Sequence, residues 1–565
     1  MNLSPETKIA GILAPLFALR REDDLGIGDV GALRQLIDWA ADGGFKLIQL
    51  LPINETGGDN SPYNAISSVA VEPTTLELAP GSPVDLTPDA FDDVAAKADV
   101  TKLRRGAIRY RRVKELKRRL LEAAFHNFGT TGTEERKSDF HAFVEREAAW
   151  LKDYTLFRAL MEENGGSEAW DQWREEHRSA DRAREWLGNL AAERQEAIGE
   201  RRIFFCYVQW IAQQQWRQIK AYAEGRGVAL MGDIPFGVSY YSADVFARPN
   251  EFALEWAGGA PPEPYFKDDE FTQKWGQNWG IPIYDWQAMR QNHFEWWRQR
   301  VRGVKHAFHV FRIDHVLGFY RIYAFPWRPG RNDEFLPLTW DEMRERTNGR
   351  EPHFMPRDDA TPENADANRR DGEEYLRIVL EEAGDTRVVG EDLGTVPDYV
   401  RPNLRSLGIA GFKIPQWETR NDCVIPGKEY ERLSVATYAT HDHKPMRALW
   451  AEAFQESTST SDQARGDLMK VARFAGLEGD LAGLRYEPDF YRTILRALFS
   501  SNAWLAVVMV TDLLGRKYRF NVPGTAAESN WARRMQRTVS QLRASDKERT
   551  RMRFIRKLLQ ETQRI

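Results

Sequence analysis

Eight short hydrophobic runs rich in β-branched residues recur along the chain, and stretches with helical periodicity separate them. A run of this length fits a strand that is buried on both faces, although period alone does not separate such a strand from a buried helical turn. Eight buried strands that alternate with helices predict an α/β fold, a parallel (β/α)8 TIM barrel with insertions at its mouth. The runs lie at residues 9–16, 46–50, 229–235, 308–314, 388–391, 410–415, 435–440 and 504–512.

Between some of these runs the pattern is too long for a simple connection and predicts insertions. The stretch between the second and third runs is helical by periodicity and dense in charge, so we expect an all-helical insertion there. A Gly- and Pro-punctuated stretch after the third run predicts a loop subdomain over the barrel mouth. The predicted divisions are residues 1–81 (strands one and two), 82–200 (helical insertion), 201–239 (strand three), 240–285 (loop subdomain or lid) and 286–565 (strands four to eight, with a polar surface excursion at 345–373 and C-terminal helices).

Composition argues against a nucleic-acid-binding, a membrane or a secreted protein. The chain has 79 Lys and Arg against 84 Asp and Glu residues, and this near-balance argues against a nucleic-acid binder. No run reaches the roughly 18 apolar residues of a membrane helix, so no membrane partner is expected. The first apolar stretch contains Pro15 and lacks a basic preceding region, which predicts a strand rather than a signal peptide. Because Cys206 and Cys423 allow one disulfide at most, we expect a cytoplasmic protein.

Four carboxylate side chains stand at or just past the C-terminal ends of predicted strands. They are Asp233, Asp314, Glu391 and Asp442. In a (β/α)8 barrel these strand ends converge on one mouth, where the active site lies in essentially every characterised case. Because clustered like charges repel each other, four carboxylates at this place favour catalysis over a purely structural role.

Two of these carboxylates fit the two-carboxylate requirement of glycoside cleavage. Arg312 and Asp314 point to the same face of their strand, and a guanidinium keeps a neighbouring carboxylate ionised, as a nucleophile must be. A structural ion pair at the barrel mouth fits that motif equally well. Glu391, in a desolvated cleft near another carboxylate, would keep its proton and donate it to a glycosidic oxygen.

The third carboxylate lies between two imidazoles and leaves two interpretations open. Asp442 could stabilise positive charge that develops on a sugar ring, with His441 donating to a sugar hydroxyl. Alternatively, His441 and His443 form a His-x-His pair of the kind that binds metals in hydrolases.

Tryptophan is unusually abundant, with 19 residues in the chain. Most of them are expected to pack in the core, but flat aromatic faces also stack on the apolar faces of sugar rings. Trp275, Trp279 and Trp286 lie in or next to the predicted loop subdomain, where core packing explains them less well.

Taken together, the motifs resemble the amylomaltase, or disproportionating enzyme, family of 4-α-glucanotransferases, relatives of the α-amylases. Single motifs are unspecific, but their order along nearly the whole chain is highly specific. The matching segments are residues 25–29, 49–52, 61–63, 232–235, 244–246, 276–280, 311–315, 391–394, 440–442 and 521–525, together with Trp531.

This resemblance implies a retaining hexosyl transfer that moves α-1,4-glucan segments to the 4-OH of glucose or of another maltodextrin. It implies Asp314 as nucleophile, Glu391 as acid/base and Asp442 as transition-state stabiliser. It also implies malto-oligosaccharide partners and no metal or organic cofactor. The further substrate contacts that it implies are Tyr63, Asp233, Arg312 and His441 around the donor sugar, Trp279 and Gln277 in a lid, and Asp392, Asn521 and Trp417 as additional contacts.

Three rival functions remain open at this point. A plain α-glucan hydrolase would use the same three carboxylates, and a non-catalytic glucan-binding protein would keep only the barrel platform. A metal-dependent hydrolase would act through His441 and His443. The pair His443-Lys444 also departs from the family pattern, in which a small polar residue commonly follows the His-Asp motif, so acceptor preference and chain length stay open.

Overall fold

Eight parallel strands form a closed barrel in the computed structural model, which describes residues 1, 3–262, 269–454, 462–479, 481–523 and 529–565. Neighbouring strands pair in chain order, and a bridge between Val389 and Ala410 joins the fifth strand to the sixth. Each predicted run overlaps one of these strands, so the TIM-barrel prediction is confirmed. The strands are β1 Ile9–Leu13, β2 Leu47–Gln49, β3 Ala229–Ile234, β4 Val310–Ile313, β5 Arg387–Gly390, β6 Gly411–Lys413, β7 Ser434–Ala436 and β8 Leu505–Met509.

The barrel interior is filled because side chains alternate between its two faces. In β1, Ile9 and Leu13 belong to the core inside the barrel, whereas Ala10 and Ile12 pack with the surrounding helices. Both faces are therefore apolar, which explains why the strands read as continuous hydrophobic runs. The helices of six or more residues after β3, within the described ranges, are Trp286–Gln291, Glu295–Lys305, Trp340–Arg346, Pro362–Ala383, Val400–Ser406, Met446–Phe454, Asp462–Phe474, Tyr491–Ser500, Val539–Ala544 and Asp546–Glu561.

A group of helices follows β2, where the sequence predicts a helical insertion. Its own core is apolar and includes Phe128, Phe143 and Trp210. The predicted boundary at residue 200 falls inside one unbroken helix of 34 residues, Ala192–Gly225, because no Gly-Pro turn interrupts that stretch. The other helices of the N-terminal part are Val30–Asp42, Pro88–Ala95, Val100–Leu103, Tyr110–Thr131, Glu134–Arg146, Ala148–Glu163 and Ala180–Gly188. None of the helices in the described ranges is long and apolar enough to cross a membrane.

A four-stranded antiparallel sheet, here called the lid sheet, takes two of its strands from residues 240–285, where a loop subdomain was predicted. Its strands, in spatial order, are Gln277–Tyr284, Phe252–Ala260, Ile322–Phe325 and His353–Met355. The sheet therefore also takes one strand from the predicted surface excursion at 345–373, and the helix Pro362–Ala383 begins within that excursion. Residues 263–268 of the predicted loop subdomain lie outside the described residues.

The lid-sheet strand Phe252–Ala260 could not be predicted from the sequence because it contains two glycines. Glycine is depleted in strands, and Gly258 and Gly259 interrupt the pattern of Phe252–Ala260. The glycine is needed because the neighbouring strand approaches closely: a Cβ on Gly259 would lie 1.9 Å from the carbonyl oxygen of Gln277.

Candidate active site

The barrel strands fix the positions of the predicted carboxylates. Asp233 lies within β3, and Asp314 and Glu391 directly follow β4 and β5. The ladder extends one residue beyond each of these two strands, since the Asp314 amide donates to Ile234 at 2.9 Å and the Glu391 amide to Ile313 at 2.9 Å. Hydrogen-bonded backbone on a rigid strand end holds the side chains in fixed places at the barrel mouth.

Arg312 connects two of the carboxylates through a forked set of donors. Its Nη1 donates to Asp233 and its Nη2 donates to Asp314, while the Tyr63 hydroxyl lies 3.4 Å from Nη1. Burial works to lower the pKa of Arg312, but the charges of Asp233 and then Asp314 outweigh it and raise the pKa. The guanidinium therefore stays charged, and Asp314 keeps a side chain that is 29% exposed beside it.

Glu391 lies in surroundings that favour its protonated form. Burial, reinforced by the negative charge of Asp314, raises its pKa to about 8. The His315 amide donates to Oε2 of Glu391 at 2.8 Å, which fixes the direction of the carboxyl group. At neutral pH this carboxyl carries the proton that a general acid needs.

Asp442, in the loop after β7, has donors on both of its carboxylate oxygens. His441 Nε2 lies 3.1 Å from Oδ2, and Asn521 donates to Oδ1 at 2.6 Å. Partial burial works to raise the pKa of Asp442, but its interactions with His441 and Asn521 outweigh burial and lower the pKa overall. Asp442 therefore carries negative charge at neutral pH, in contrast to Glu391.

Tyr63 connects this carboxylate network to the aromatic wall. Its hydroxyl donates to Oδ2 of Asp233 at 2.7 Å, and its ring stacks on His441 with centroids 4.9 Å apart. Trp531 lies against both rings, at 5.9 Å from Tyr63 and 5.8 Å from His441. The predicted residues Tyr63, Asp233 and His441 thus form one contiguous cluster, in which Tyr63 is part-exposed and the other two are buried.

Two exposed tryptophans border the site. Trp279, on the first lid-sheet strand, is 39% exposed and donates from Nε1 to Gln277 at 3.2 Å. Trp417, after β6, is 47% exposed. Exposed indoles are rare on protein surfaces, and their flat apolar faces suit the stacking of sugar rings.

Asp392 differs from the other predicted site residues because protein donors occupy both of its oxygens. The Phe412 amide donates to Oδ1 at 2.6 Å, and Arg401 donates from Nε to Oδ2 at 2.9 Å. Only 1% of Asp392 is exposed. Its geometry suits the joining of β5 to β6 better than contact with a sugar.

The structure adds residues that the sequence analysis did not place in the site. Arg519 donates to the backbone carbonyl of Asp442 and, at 3.0 Å, to that of Asn521. Its only sequence signal is its position two residues before Asn521. Trp531 was part of the resemblance, but no pattern indicated that it would pack on Tyr63.

The two imidazoles around Asp442 are engaged with protein groups. His441 is held by Asp442 and by stacking on Tyr63, and Nδ1 of His443 accepts from the Thr440 amide at 3.0 Å. Among the residues that the structure describes, no group of three or more His, Cys, Asp or Glu side chains is arranged to hold a metal ion.

A (β/α)8 barrel whose mouth combines Asp314 beside a guanidinium with a protonated Glu391 defines a class of enzyme that cleaves glycosidic bonds. Comparison with known proteins identifies the family within this class. The family profile described as 4-alpha-glucanotransferase matches residues 14–540. The chain belongs to this family, and it is a 4-α-glucanotransferase that acts on α-1,4-glucans.

Individual relatives agree with this assignment. A 4-alpha-glucanotransferase of Chlamydia pneumoniae is 31% identical over 535 residues, which cover 94% of this chain and 92% of the relative. One from Aquifex aeolicus is 27% identical and covers 98% of both chains.

Solved structures show the same fold. An amylomaltase from Streptococcus agalactiae, in complex with acarbose, superposes with a TM-score of 0.73 at 22% identity over 99% of both chains. An amylomaltase from Corynebacterium glutamicum superposes with a TM-score of 0.77 at 21% identity, covering 99% of this chain and 76% of the other.

Proposed function

We propose that this enzyme moves α-1,4-glucan segments to the 4-OH of glucose or of another maltodextrin by a retaining double displacement, with Asp314 as nucleophile and Glu391 as acid/base. The observation that carries the proposal is the contrast between two neighbouring carboxyl groups. Glu391 has a pKa raised to about 8 by burial and by Asp314, whereas Asp314 is paired with Arg312. A retaining mechanism needs one proton donor and one nucleophile at this place.

In the first half-reaction, Asp314 attacks the anomeric carbon of the donor sugar. The glycosidic C–O bond breaks while Glu391 gives its proton to the leaving oxygen, so the released chain departs as a neutral alcohol. Asp314 is then bound covalently to the donor segment. Asp442, which carries negative charge beside His441 and Asn521, would stabilise the positive charge on the sugar ring during this step.

In the second half-reaction, Glu391 takes the proton from the 4-OH of an acceptor sugar. The acceptor oxygen attacks the same carbon, the bond to Asp314 breaks, and an α-1,4 linkage forms again. Two inversions give net retention. Transfer exceeds hydrolysis only when the acceptor is oriented better than water, and the exposed rings of Trp279 and Trp417 offer faces for that purpose.

The donor sugar would lie next to the cluster of Tyr63, Asp233 and His441. Unlike Asp392, Asp233 keeps one carboxylate oxygen, Oδ1, without a hydrogen-bond partner among the described residues. Tyr63 supplies a flat ring, and the carboxylate and imidazole supply partners for sugar hydroxyls. Arg312 holds Asp233 and Asp314 in place through its two ion pairs. Gln277 positions the Trp279 indole through its hydrogen bond, and Asn521 orients Asp442. We further propose a cytoplasmic location, supported by the two free cysteines.

The test is incubation of the purified enzyme with maltotriose and EDTA, with chromatographic separation of the products. We expect glucose together with a ladder of longer maltodextrins, and no such products from Asp314→Asn. The exposed variant Asp341→Asn serves as the matched control and should retain full activity. Glucose and maltose without longer chains would contradict the transfer mechanism, and loss of activity only with EDTA would favour the metal-dependent alternative.

A further inference from the structure

Two histidines that follow catalytic carboxylates each contact one of the exposed tryptophans. His315 follows Asp314, and its ring lies 4.8 Å from that of Trp279 at an interplanar angle of 84°. His443 follows Asp442, and its ring lies 4.9 Å from that of Trp417 at 64°. In both pairs the rings meet steeply, so the imidazole leaves at least one face of the indole uncovered.

His443 is held as a neutral imidazole with a fixed direction. The Thr440 amide donates to Nδ1 at 3.0 Å, and because an amide nitrogen only donates, Nδ1 carries a lone pair and the proton sits on Nε2. The Thr440 hydroxyl lies 2.7 Å from the same nitrogen. Burial also lowers the pKa of His443, to about 4. The ring therefore presents the same edge to Trp417 throughout the physiological pH range.

His315 is held by its backbone. It has a φ of 47°, in the left-handed region that few residues with a Cβ occupy. In this conformation its amide donates to Glu391 at 2.8 Å while its ring contacts Trp279. A strained backbone at a catalytic position persists because surrounding contacts hold it there. The contact with Trp279 also joins the lid sheet to the barrel, since Trp279 lies on a lid-sheet strand and His315 lies two residues after β4.

We propose that His315 and His443 are positioning residues that hold Trp279 and Trp417 as two sugar-stacking faces on the borders of the carboxylate cluster. Neither histidine needs to touch the glucan. His315 fixes the indole of Trp279, on the lid sheet, against the barrel. His443 fixes the indole of Trp417, in the loop after β6. This inference rests on the proposed function, because it assigns to that site two faces that bind the glucan chain.

The structure supplies a matched control for these contacts. His353 and Trp256, in two strands of the lid sheet, meet at 4.9 Å and 88°, which is nearly the same geometry. Neither residue belongs to the site described above. His353→Ala therefore removes an equivalent ring contact away from the substrate.

The first measurement compares KM and kcat for maltotriose in His443→Ala, His315→Asn and His353→Ala. Asparagine is chosen at residue 315 because it tolerates a positive φ. We expect KM to rise about 3- to 10-fold in the first two variants, the range that the loss of one aromatic pair gives, with kcat within about twofold. His353→Ala should leave both constants unchanged. An unchanged KM in His443→Ala and His315→Asn, or an equal rise in His353→Ala, would overturn the proposal.

A double-mutant cycle separates positioning from direct contact. If His443 acts through Trp417, then adding His443→Ala to Trp417→Ala changes KM no further, and the same holds for His315→Asn added to Trp279→Ala. Additive effects would show that the histidines bind the sugar themselves and would contradict the proposal. Titration of tryptophan fluorescence with maltotriose in the Asp314→Asn background measures binding without chemistry, so a wrong nucleophile assignment and a wrong positioning assignment give different results.

Discussion

The two ends of the barrel use buried charge in opposite ways. At the N-terminal ends of the strands, Arg564 is fully buried and donates to five backbone carbonyls, those of Ile9, Phe499, Ser501, Ala503 and Trp504, at 2.6–3.2 Å. At the C-terminal ends, Arg312 is equally buried, but its partners are carboxylates that stand next to further carboxylates.

The difference shows which end is built for stability and which for chemistry. At the N-terminal ends of the strands, here called the barrel floor, neutral backbone carbonyls solvate the one buried charge, although burial, followed by the nearby Arg432, still lowers the pKa of Arg564 to about 9. The mouth keeps Glu391 in surroundings that disfavour its charged form and leaves Asp314 part-exposed. Such an arrangement costs stability and is retained for function. Substitutions at the two ends should therefore have opposite effects.

The largest effect is expected from Glu391→Gln, which cannot donate a proton. Turnover of maltotriose should fall about 1,000-fold, within the range for loss of a general acid. α-Maltosyl fluoride needs no protonation of its leaving group, so its first displacement should be largely spared. The measurement is the first-turnover burst of fluoride, compared with maltotriose turnover, because the slow second displacement limits fluoride release at steady state. Equal losses in the burst rate and in maltotriose turnover would contradict the acid role of Glu391.

At the floor, Arg564→Met should lower stability and leave the chemistry intact. It would leave several buried carbonyls without donors, which costs roughly 3 kcal/mol of unfolding free energy. Denaturant unfolding measures the loss, and kcat at low temperature should stay within about twofold. The exposed Arg553→Met, on the helix Asp546–Glu561 that precedes Arg564, is the control and should change stability by less than about 0.5 kcal/mol. A loss of activity with unchanged stability in Arg564→Met would be the opposite of what the comparison predicts.

The pH dependence of activity follows from Glu391. Its pKa, raised to about 8 by burial and by Asp314, means that the proton needed for the first displacement is present below that pH and lost above it. We expect kcat/KM for maltotriose to fall about tenfold per pH unit above the pKa. In Glu391→Gln with α-maltosyl fluoride, this alkaline limb should vanish; its persistence would assign the limb to another group.

The smallest effect that we expect is a gain in the stability of the folded state from Glu391→Gln. Glu391 has a pKa of about 8 in the folded state against an ordinary value of 4.5, so between these pH values the native state holds a proton that the unfolded state loses. The stabilising contribution of Glu391 therefore declines as pH rises through that window. Glu391→Gln should melt a few degrees above the parent at pH 8, and the difference should shrink towards pH 4.5. The control Asp341→Asn should show no such trend.

Features that depend on neighbouring residues in the chain could be predicted from the sequence, whereas contacts between distant residues could not. The barrel strands were predictable because continuous β-branched runs carry a local signal, and the carboxylates at their ends followed from the topology. The lid sheet was not predictable, because its strand contains glycines where a neighbouring strand approaches too closely for a side chain. Trp417 and His443 lie on different loops, and Asn521 contacts Asp442 from 79 residues away. Such contacts depend on packing, which no local pattern encodes.

Asp392 illustrates the same limit within a motif. The segment 391–394 of the resemblance contains both Glu391 and Asp392, and both were predicted as site residues. Only the three-dimensional structure shows that Arg401 and the Phe412 amide take both oxygens of Asp392. The Gly524 and Thr525 positions of the resemblance lie outside the described residues.

The most direct test of the mechanism is to trap the covalent intermediate. Glu391→Gln, incubated with α-maltosyl fluoride, should complete the first displacement but deprotonate the acceptor slowly, so the glycosyl-enzyme accumulates. Acid quench, digestion and mass spectrometry locate the added maltosyl group. We predict that it lies on the peptide containing Asp314 and is absent from Asp314→Asn. A maltosyl group on Asp442, or turnover with inversion and no adduct, would contradict the proposed double displacement through Asp314.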